Sequence, residues 1–416
     1  MQQTPLKVLI IGKVWPEPDS SAAGSRMMEL IDVFQSQEWE VIFASAASNS
    51  EFAVDLNAIG VKKTAIKINS SSFDHFVSEL NPGVVVFDRF MTEEQFGWRV
   101  AEQCPDALRF LDTEDLHFLR EGRYQAWKEG RKFVTRDLFN DKAKREIASI
   151  LRCDLSLIIS EYEMDLLENT FGINNSLLLN LPFMLDKIEE KGVNNWRAYN
   201  KRSHFISIGN FLHEPNWNAV LYLKEEIWPL IRTELSEAEL HIYGAYSSQK
   251  VEQLHNPDEG FLVKGRAENA KEVVSSARVL LAPLRFGAGL KGKLIEAMQC
   301  GTPSVTTGIG AEAMHGDLPL PGFVSDDPKE FADYAVEIYK NENLWKQKQK
   351  NGIDIINVRF DREEHSERLI QRIDELTENL QSHRQHNFMG SILQHHTVAS
   401  TKFMSKWIEA KNRIAD

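Results

Sequence analysis

No apolar run in the 416 residues reaches the eighteen or so that a membrane-spanning helix requires. The N-terminus passes from polar MQQTP straight into the strand-like LKVLIIG, without the flanks of a secretory leader. A cytoplasmic protein is expected, with the inner face of the membrane as its other place. Cysteine is scarce: Cys104, Cys153 and Cys300 fall in no paired motif, so neither a disulfide framework nor a zinc site is expected, and all three read as small core residues. Basic charge is short as well. A formal net charge of −13 leaves no general footprint for displacing counterions from nucleic acid. Repeats of fixed period and low-complexity stretches are also lacking.

What the chain does have is enough apolar content, 42%, for two to three domains. Short apolar runs recur, each followed by a polar or glycine-bearing loop and a helical pattern: KVLIIG, EVIFAS, GVVVFD, LRFLD and LSLIIS, then HFISIG, ELHIYG, FLVKG, VLLAP and PSVTT. That alternation predicts an α/β protein with two doubly wound parallel sheets covered by helices. In the first helix, Met27, Leu30, Ile31 and Phe34 make one apolar stripe. The series breaks at the polar stretch from Asp186 to Ser203, which reads as a hinge. Three parts follow: a Rossmann-like domain over 1–185, a second over 186–375, and a helical tail over 376–416 that docks on its own domain or crosses back to the first. Ligands of open parallel sheets sit beyond the carboxyl ends of the strands, so the residues just after each strand are the ones to watch.

PLRFGAGLKGKLIEAMQCGTPSV, from Pro283 to Val305, reads as a glycine-rich loop leading into a helix between two strands. Glycines at 287, 289 and 292 let backbone approach a ligand, and free N–H groups at a helix start suit a diphosphate. Lys291 and Lys293 add positive charge where it is unfavourable for the helix alone, which favours an anionic ligand over the plain alternative of a surface loop with an i, i+3 pair between Lys293 and Glu296. Leu290, Leu294, Ala297 and Met298 form the buried face and Gly301 ends the helix. Glu296 lies opposite Leu294, within reach of a ribose whose two hydroxyls a carboxylate can bind. A nucleotide is the expected ligand.

This segment, together with GNFLHEPNWNAVLYL, WPLI, ELHIYG, FLVKGR and GIGAEAM, resembles the donor-binding half of the glycosyltransferases with two Rossmann-like domains, the GT-B fold, and family 4 in particular. The likeness covers about 110 residues of the second half in order. The first half resembles the family more weakly, through PEPDSSAAGSR and LDTEDLHFLR. The resemblance implies transfer of a sugar from a nucleotide sugar, in its UDP or GDP form, with retention of configuration and no metal or separate cofactor. It implies a glycan, lipid-linked or protein acceptor. Glu296 would hold the donor ribose, and the loop at Gly287, Gly289, Leu290, Lys291, Gly292 and Lys293 the diphosphate. Gly209 and Asn210 would line the donor site, Gly265 and Arg266 would meet the base, and Gly24 would face the phosphates from the first domain, a tight turn being its plain alternative. Asp115 and His117 are the catalytic candidates; helix capping by Asp112 or Thr113 is the plain alternative there.

Two departures stand out. Ala288 occupies the position of a sugar-contacting glutamate, and NFLHEPNWN lacks the family's Arg and Lys pair, whose charge falls to Lys291 or Lys293, with Arg285 behind them. They keep open a catalytically silent nucleotide- or glycan-binding subunit; a sugar-nucleotide epimerase of the same plan is a further alternative. From Arg120 to Arg145 nine Lys or Arg residues interleave with Tyr124, Trp127, Phe133 and Phe139, a pattern for an anionic acceptor or membrane surface, or for a solvated helix face. His383, His386, His395 and His396 have a spacing that could ligate a metal, but no Cys or HExxH pattern accompanies them and no metal site is expected.

Overall fold

The computed structural model describes residues 5–415. The first sheet has seven strands, β1 (Lys7–Gly12), β2 (Glu40–Ser45), β3 (Lys62–Ala65), β4 (Val84–Asp88), β5 (Leu108–Asp112), β6 (Leu155–Ile158) and β7 (Leu178–Asn180), in the order β3-β2-β1-β4-β5-β6-β7. The second has six, β8 (Ser203–Ile208), β9 (Leu240–Tyr243), β10 (Phe261–Gly265), β11 (Ala277–Ala282), β12 (Ser304–Thr306) and β13 (Gly322–Val324), in the order β10-β9-β8-β11-β12-β13. The pairings are parallel, as between β1 and β4 or β8 and β11. Strand order reverses at those two pairs, and the loops leaving them open towards each other.

Burial on both faces explains the continuous apolar runs. Val8 and Ile10 pack with Met27, Leu30, Ile31 and Phe34 of the helix Ala22–Ser36, while Leu9 and Ile11 enter the cluster on the other side of the sheet. All three cysteines are buried free thiols. Arg26, fully buried, ties the strand ends together: it donates through Nε and Nη2 to Asp112 Oδ1 at 3.1 and 3.0 Å and through Nη1 to the carbonyls of Leu181 and Pro182.

The chain crosses between domains twice, side by side. At the first crossing Leu185 donates its N–H to the Phe360 carbonyl at 2.7 Å, and Arg362 N–H returns the bond to Leu185 at 3.0 Å. Lys187 pairs with Asp361 at 2.8 Å. After this double strap the helix Arg362–His386 leaves the second domain and lays Leu369, Ile373, Leu376 and Leu380 into the first domain's core. A boundary at residue 375 therefore falls inside that helix. The last helix, Phe388–Ala415, continues over the first domain, with Ser405 Oγ bonded to Arg99 and Glu409 to Ser71. Leu376→Ala is expected to destabilise the first domain by about 2–5 kcal/mol through the cavity it leaves, read as a lowered urea midpoint; an unchanged midpoint would mean that the tail is not part of this core.

Candidate functional site

The loop after β11 is a tight scaffold for the helix Gly292–Gln299. Gly289 has φ +64°, and a Cβ there would come within 2.8 Å of Asp115 Cβ, so only glycine fits between the two domains. Gly287 has φ +151°, a backbone conformation that side-chain-bearing residues rarely adopt, and Leu290 is buried beside Leu294. Gly292 starts the helix, and a Cβ on it would meet that of Ala22 at 2.4 Å. Among the described residues nothing accepts the N–H groups of Gly292 and Lys293, which leaves two donors at the positive end of the helix dipole.

The two lysines part company. Lys293 reaches the first turn of the helix Glu214–Tyr222 that follows β8, where Nζ donates to Asn216 Oδ1 at 2.9 Å; burial holds its pKa down at about 8. Lys291 turns back into its own loop, bonding the carbonyls of Gly289 and Ala288, while its N–H points at Met314 Sδ. The charge expected of Lys291 for a diphosphate is thus spent on holding the loop. Arg285, the weaker substitute, is likewise engaged, with Nε on Asn218 Oδ1 at 2.8 Å. Glu296 is the fifth residue of the helix, a little over one turn in rather than two. Its carboxyl has no hydrogen bond or ion pair among the described residues, and burial, with Asp19 adding to it and Lys271 opposing, raises its pKa to about 7.

Around these, the Asn210 carbonyl accepts from Asn216 Nδ2, and a Cβ on Gly209 would lie 3.1 Å from Lys293 Nζ. Gly265, at φ +74°, faces open space, and Arg266 stacks its guanidinium 4.3 Å from the Phe52 ring of the first domain. Phe52 meets Tyr246 edge-on, and Tyr246 Oη donates to Glu17. Gly24 serves its own turn: its N–H donates to the capping Ser21, and a Cβ would strike the Glu17 backbone at 2.4 Å.

From the first domain, His117 opens the helix His117–Lys128. Glu146 accepts the N–H groups of His117 and Phe118 at 3.2 and 3.0 Å, and its Oε1 lies 3.3 Å from His117 Nδ1. A carboxylate only accepts, so Nδ1 is the donor and Nε2 is the nitrogen left without a partner. Asp115 accepts from Arg120 at 2.5 Å and lies 3.9 Å from His117 Nδ1. Burial would raise Asp115, but Arg120, then His117, His213 and Arg89 hold it well below the usual carboxylate range. Thr113 and Asp112 bond to Leu157 and Arg26, so neither caps this helix.

Several site residues escaped the motif search. Lys13 and Arg89 follow β1 and β4 directly, the position the parallel-sheet rule marks. His213, still exposed at the end of the loop after β8, faces Asp115, Arg120 and both lysines; crowding by these neighbours, then the charge of Arg120, lowers its pKa. Arg89 (φ +70°) and Glu114 (φ +64°) are non-glycine residues in left-handed backbone at adjacent strand ends, strain that collects at functional sites.

The two halves are clasped. Arg123 donates to the Gly287 carbonyl at 2.8 Å and forks onto Glu312 at 2.8 and 2.6 Å; Glu163 accepts from both Leu116 and Gly289 N–H at 3.0 Å. Ala288 packs into the first domain's apolar cluster with Leu116 and Phe118, where a glutamate would be buried in hydrocarbon. The stretch 120–145 is largely used up in this way. Tyr124 and Trp127 cover Phe286 at 5.1 and 5.0 Å, and six of its nine cations (Arg120, Arg123, Arg131, Lys142, Lys144, Arg145) are ion-paired. Among the described residues no helix is long and apolar enough to cross a membrane, and no cluster of three His, Cys, Asp or Glu is placed to hold a metal.

Residues 202–341 match the family model described as glycosyl transferases group 1. No curated protein matches the chain. Solved structures do. HepE of Anabaena, in complex with UDP and glucose, is 12% identical with a TM-score of 0.65 over 89% of this chain and 99% of that one. TarM is 10% identical at a TM-score of 0.67, again over 89% and 99%. The pneumococcal O-GlcNAc transferase GtfA, in complex with UDP and GlcNAc, is 12% identical at 0.67 over the same shares. Against a mutant of S. aureus TarM bound to Fondaparinux, alpha-GlcNAc-glycerol and UDP, the chain spans 58% of that chain's length at 14% identity. Such identities show the fold, the two-domain GT-B plan. The family match lies within the second domain. Over that stretch the chain is similar to the glycosyl transferases group 1.

Proposed function

We propose that the protein transfers a hexosyl group from a UDP-sugar to a hydroxyl of a saccharide, lipid-linked or protein-linked acceptor, with retention of configuration and without a metal ion. The carrying observation is the half-buried, unpartnered carboxyl of Glu296, one turn beyond a helix start that offers free N–H groups and Lys293. A ribose and a diphosphate fit that pair of charges in that order. The UDP held by HepE and GtfA supports the uridine form. On this reading the bond from the anomeric carbon to the diphosphate oxygen breaks with its electrons staying on UDP. The helix start and Lys293 stabilise that leaving charge. His117 and Asp115 approach the transferred sugar from the first domain, and the acceptor oxygen bonds to the anomeric carbon as its proton passes to the departing diphosphate oxygen.

Affinity for UDP is expected to peak between about pH 7 and pH 8. Below 7 Glu296 becomes protonated and loses its capacity to accept two hydrogen bonds; above 8 Lys293 loses the charge that the diphosphate requires. Each limb should fall by up to about tenfold per pH unit. Thermal shift of the protein with UDP, GDP, CMP and dTDP forms across pH 5–9 tests this. UDP at about 100 times its dissociation constant should add about 2.7 kcal/mol to stability. A pH-independent shift, or none with any nucleotide, counts against the donor site.

A further inference from the structure

The last helix, Phe388–Ala415, presents its faces in the reverse of the usual order for a surface helix. Its inward face is small and polar. A Cβ on Gly390 would strike the Leu151 carbonyl oxygen at 2.1 Å, Ser405 Oγ accepts from Arg99 Nη2 at 3.0 Å, and Lys402 pairs with Glu102. Glu409 Oε1 accepts from the N–H and the hydroxyl of Ser71 at 3.0 and 2.7 Å. These contacts fix the roll of the helix and turn two apolar clusters outward, Phe388, Met389 and Ile392 near its start and Phe403, Met404 and Trp407 fifteen residues on in the same i, i+1, i+4 arrangement. Phe388 is 70% exposed, Phe403 66% and Trp407 60%. In a regular helix the two clusters lie about 22 Å apart and fall within one half of the circumference. Apolar side chains exposed singly are ordinary; six aligned on one face mark a surface that meets something apolar.

The charge beside this stripe is of one sign. From Asn379 to Ile408 the chain has no Asp or Glu, thirty residues free of acid in a protein that has 61 acids and a net charge of −13. Glu409, the first acid after that run, is on the docked face, held by Ser71 and Arg413. Lys406 flanks the second cluster and Lys411 lies one turn beyond it, 5.3 Å over the ring of Trp407. Both are exposed, and neither enters an ion pair among the described residues. Aromatics facing out, lysines beside them and no carboxylate is the composition of a helix that lies in the plane of an anionic bilayer surface. A second copy of the chain fits less well, since a two-fold contact on this face would set lysine against lysine with no acid to pair them.

We propose that this helix docks the protein on the surface of an anionic lipid bilayer. Phe403, Met404 and Trp407 enter the boundary between headgroups and acyl chains, and Lys406 and Lys411 meet the lipid phosphates. Phe388, Met389 and Ile392 make a second point of insertion, so that the first domain, to which the helix is pinned, rests on the surface in one orientation. The contact is peripheral, since among the described residues no helix is long and apolar enough to cross.

Co-sedimentation of the full chain with vesicles tests this, using phosphatidylcholine alone and an equal mixture of phosphatidylcholine and phosphatidylglycerol. The protein should pellet with the anionic vesicles and stay in solution with the neutral ones, and added salt should release part of it. Phe403→Ala combined with Trp407→Ala should weaken binding at least about tenfold, and Lys406→Ala combined with Lys411→Ala about thirtyfold. All four side chains are exposed, so the melting temperature of both double variants should match that of the unaltered chain. No binding to anionic vesicles, equal binding to both kinds, or binding that survives both pairs of changes would each overturn the proposal. Self-association that the aromatic changes abolish, without vesicle binding, would overturn it too and assign the stripe to a second copy.

Discussion

Glu296→Gln is expected to weaken UDP binding about a hundredfold while making the unliganded protein more stable at pH 8. The first half follows from two hydrogen bonds to a charged acceptor, each worth about 1.5–3 kcal/mol; losing about 3 kcal/mol is roughly a factor of a hundred. The second half follows from the raised pKa. A carboxyl whose pKa climbs from 4.5 to about 7 on folding binds more protons in the folded than in the unfolded chain between those values. Stability therefore falls as pH rises from 4.5 to 7 and stays reduced above 7. The glutamine, of the same shape and uncharged, removes that penalty at pH 8 and changes nothing below 4.5. Calorimetry with UDP and thermal melts at the two pH values check both halves. A variant that binds UDP normally, or that is equally destabilised at both pH values, would show Glu296 to be an ordinary structural residue.

Where an element is buried on both faces, its strand character shows in the sequence: ten apolar runs correspond to ten strands. The three that do not stand out are at or near sheet edges. β3 reads KKTA with two exposed ends, and β7 and β13 are three-residue strands at sheet edges, only partly buried, unlike the equally short but internal and buried β12. The glycine loop and Glu296 were legible because a local motif needs them together. Lys13, Arg89 and His213 were not, since each is a single residue that becomes part of a site only when two sheets face each other. Lys291 is the complementary case: sequence records its charge, and only the fold shows that its ammonium turns into its own loop. Tyr124 and Trp127 resemble part of a membrane face until Phe286 of the other domain is seen to pack on them.

His117→Ala is expected to lower turnover by about 10²–10⁴-fold, the usual worth of one well-placed polar group at a reacting centre, with UDP affinity nearly unchanged. The ring lies on the first-domain side, away from Glu296 and Lys293, so the nucleotide should not register its loss. Its orientation is set by Glu146, which accepts from Nδ1 and turns Nε2 outward, and by the edge-on ring of Phe90 at 5.4 Å. Glu146→Gln should therefore give a smaller loss of turnover with His117 still present, since an amide can cap one of the helix N–H groups but orients the imidazole less firmly. The two changes should not add when combined, because Glu146 acts through His117. Steady-state rates of sugar transfer or donor hydrolysis for the two single variants and the double variant check this. Additive losses would mean that Glu146 matters only for stability, and a normal rate in His117→Ala would move the chemistry to Asp115 and its partner Arg120.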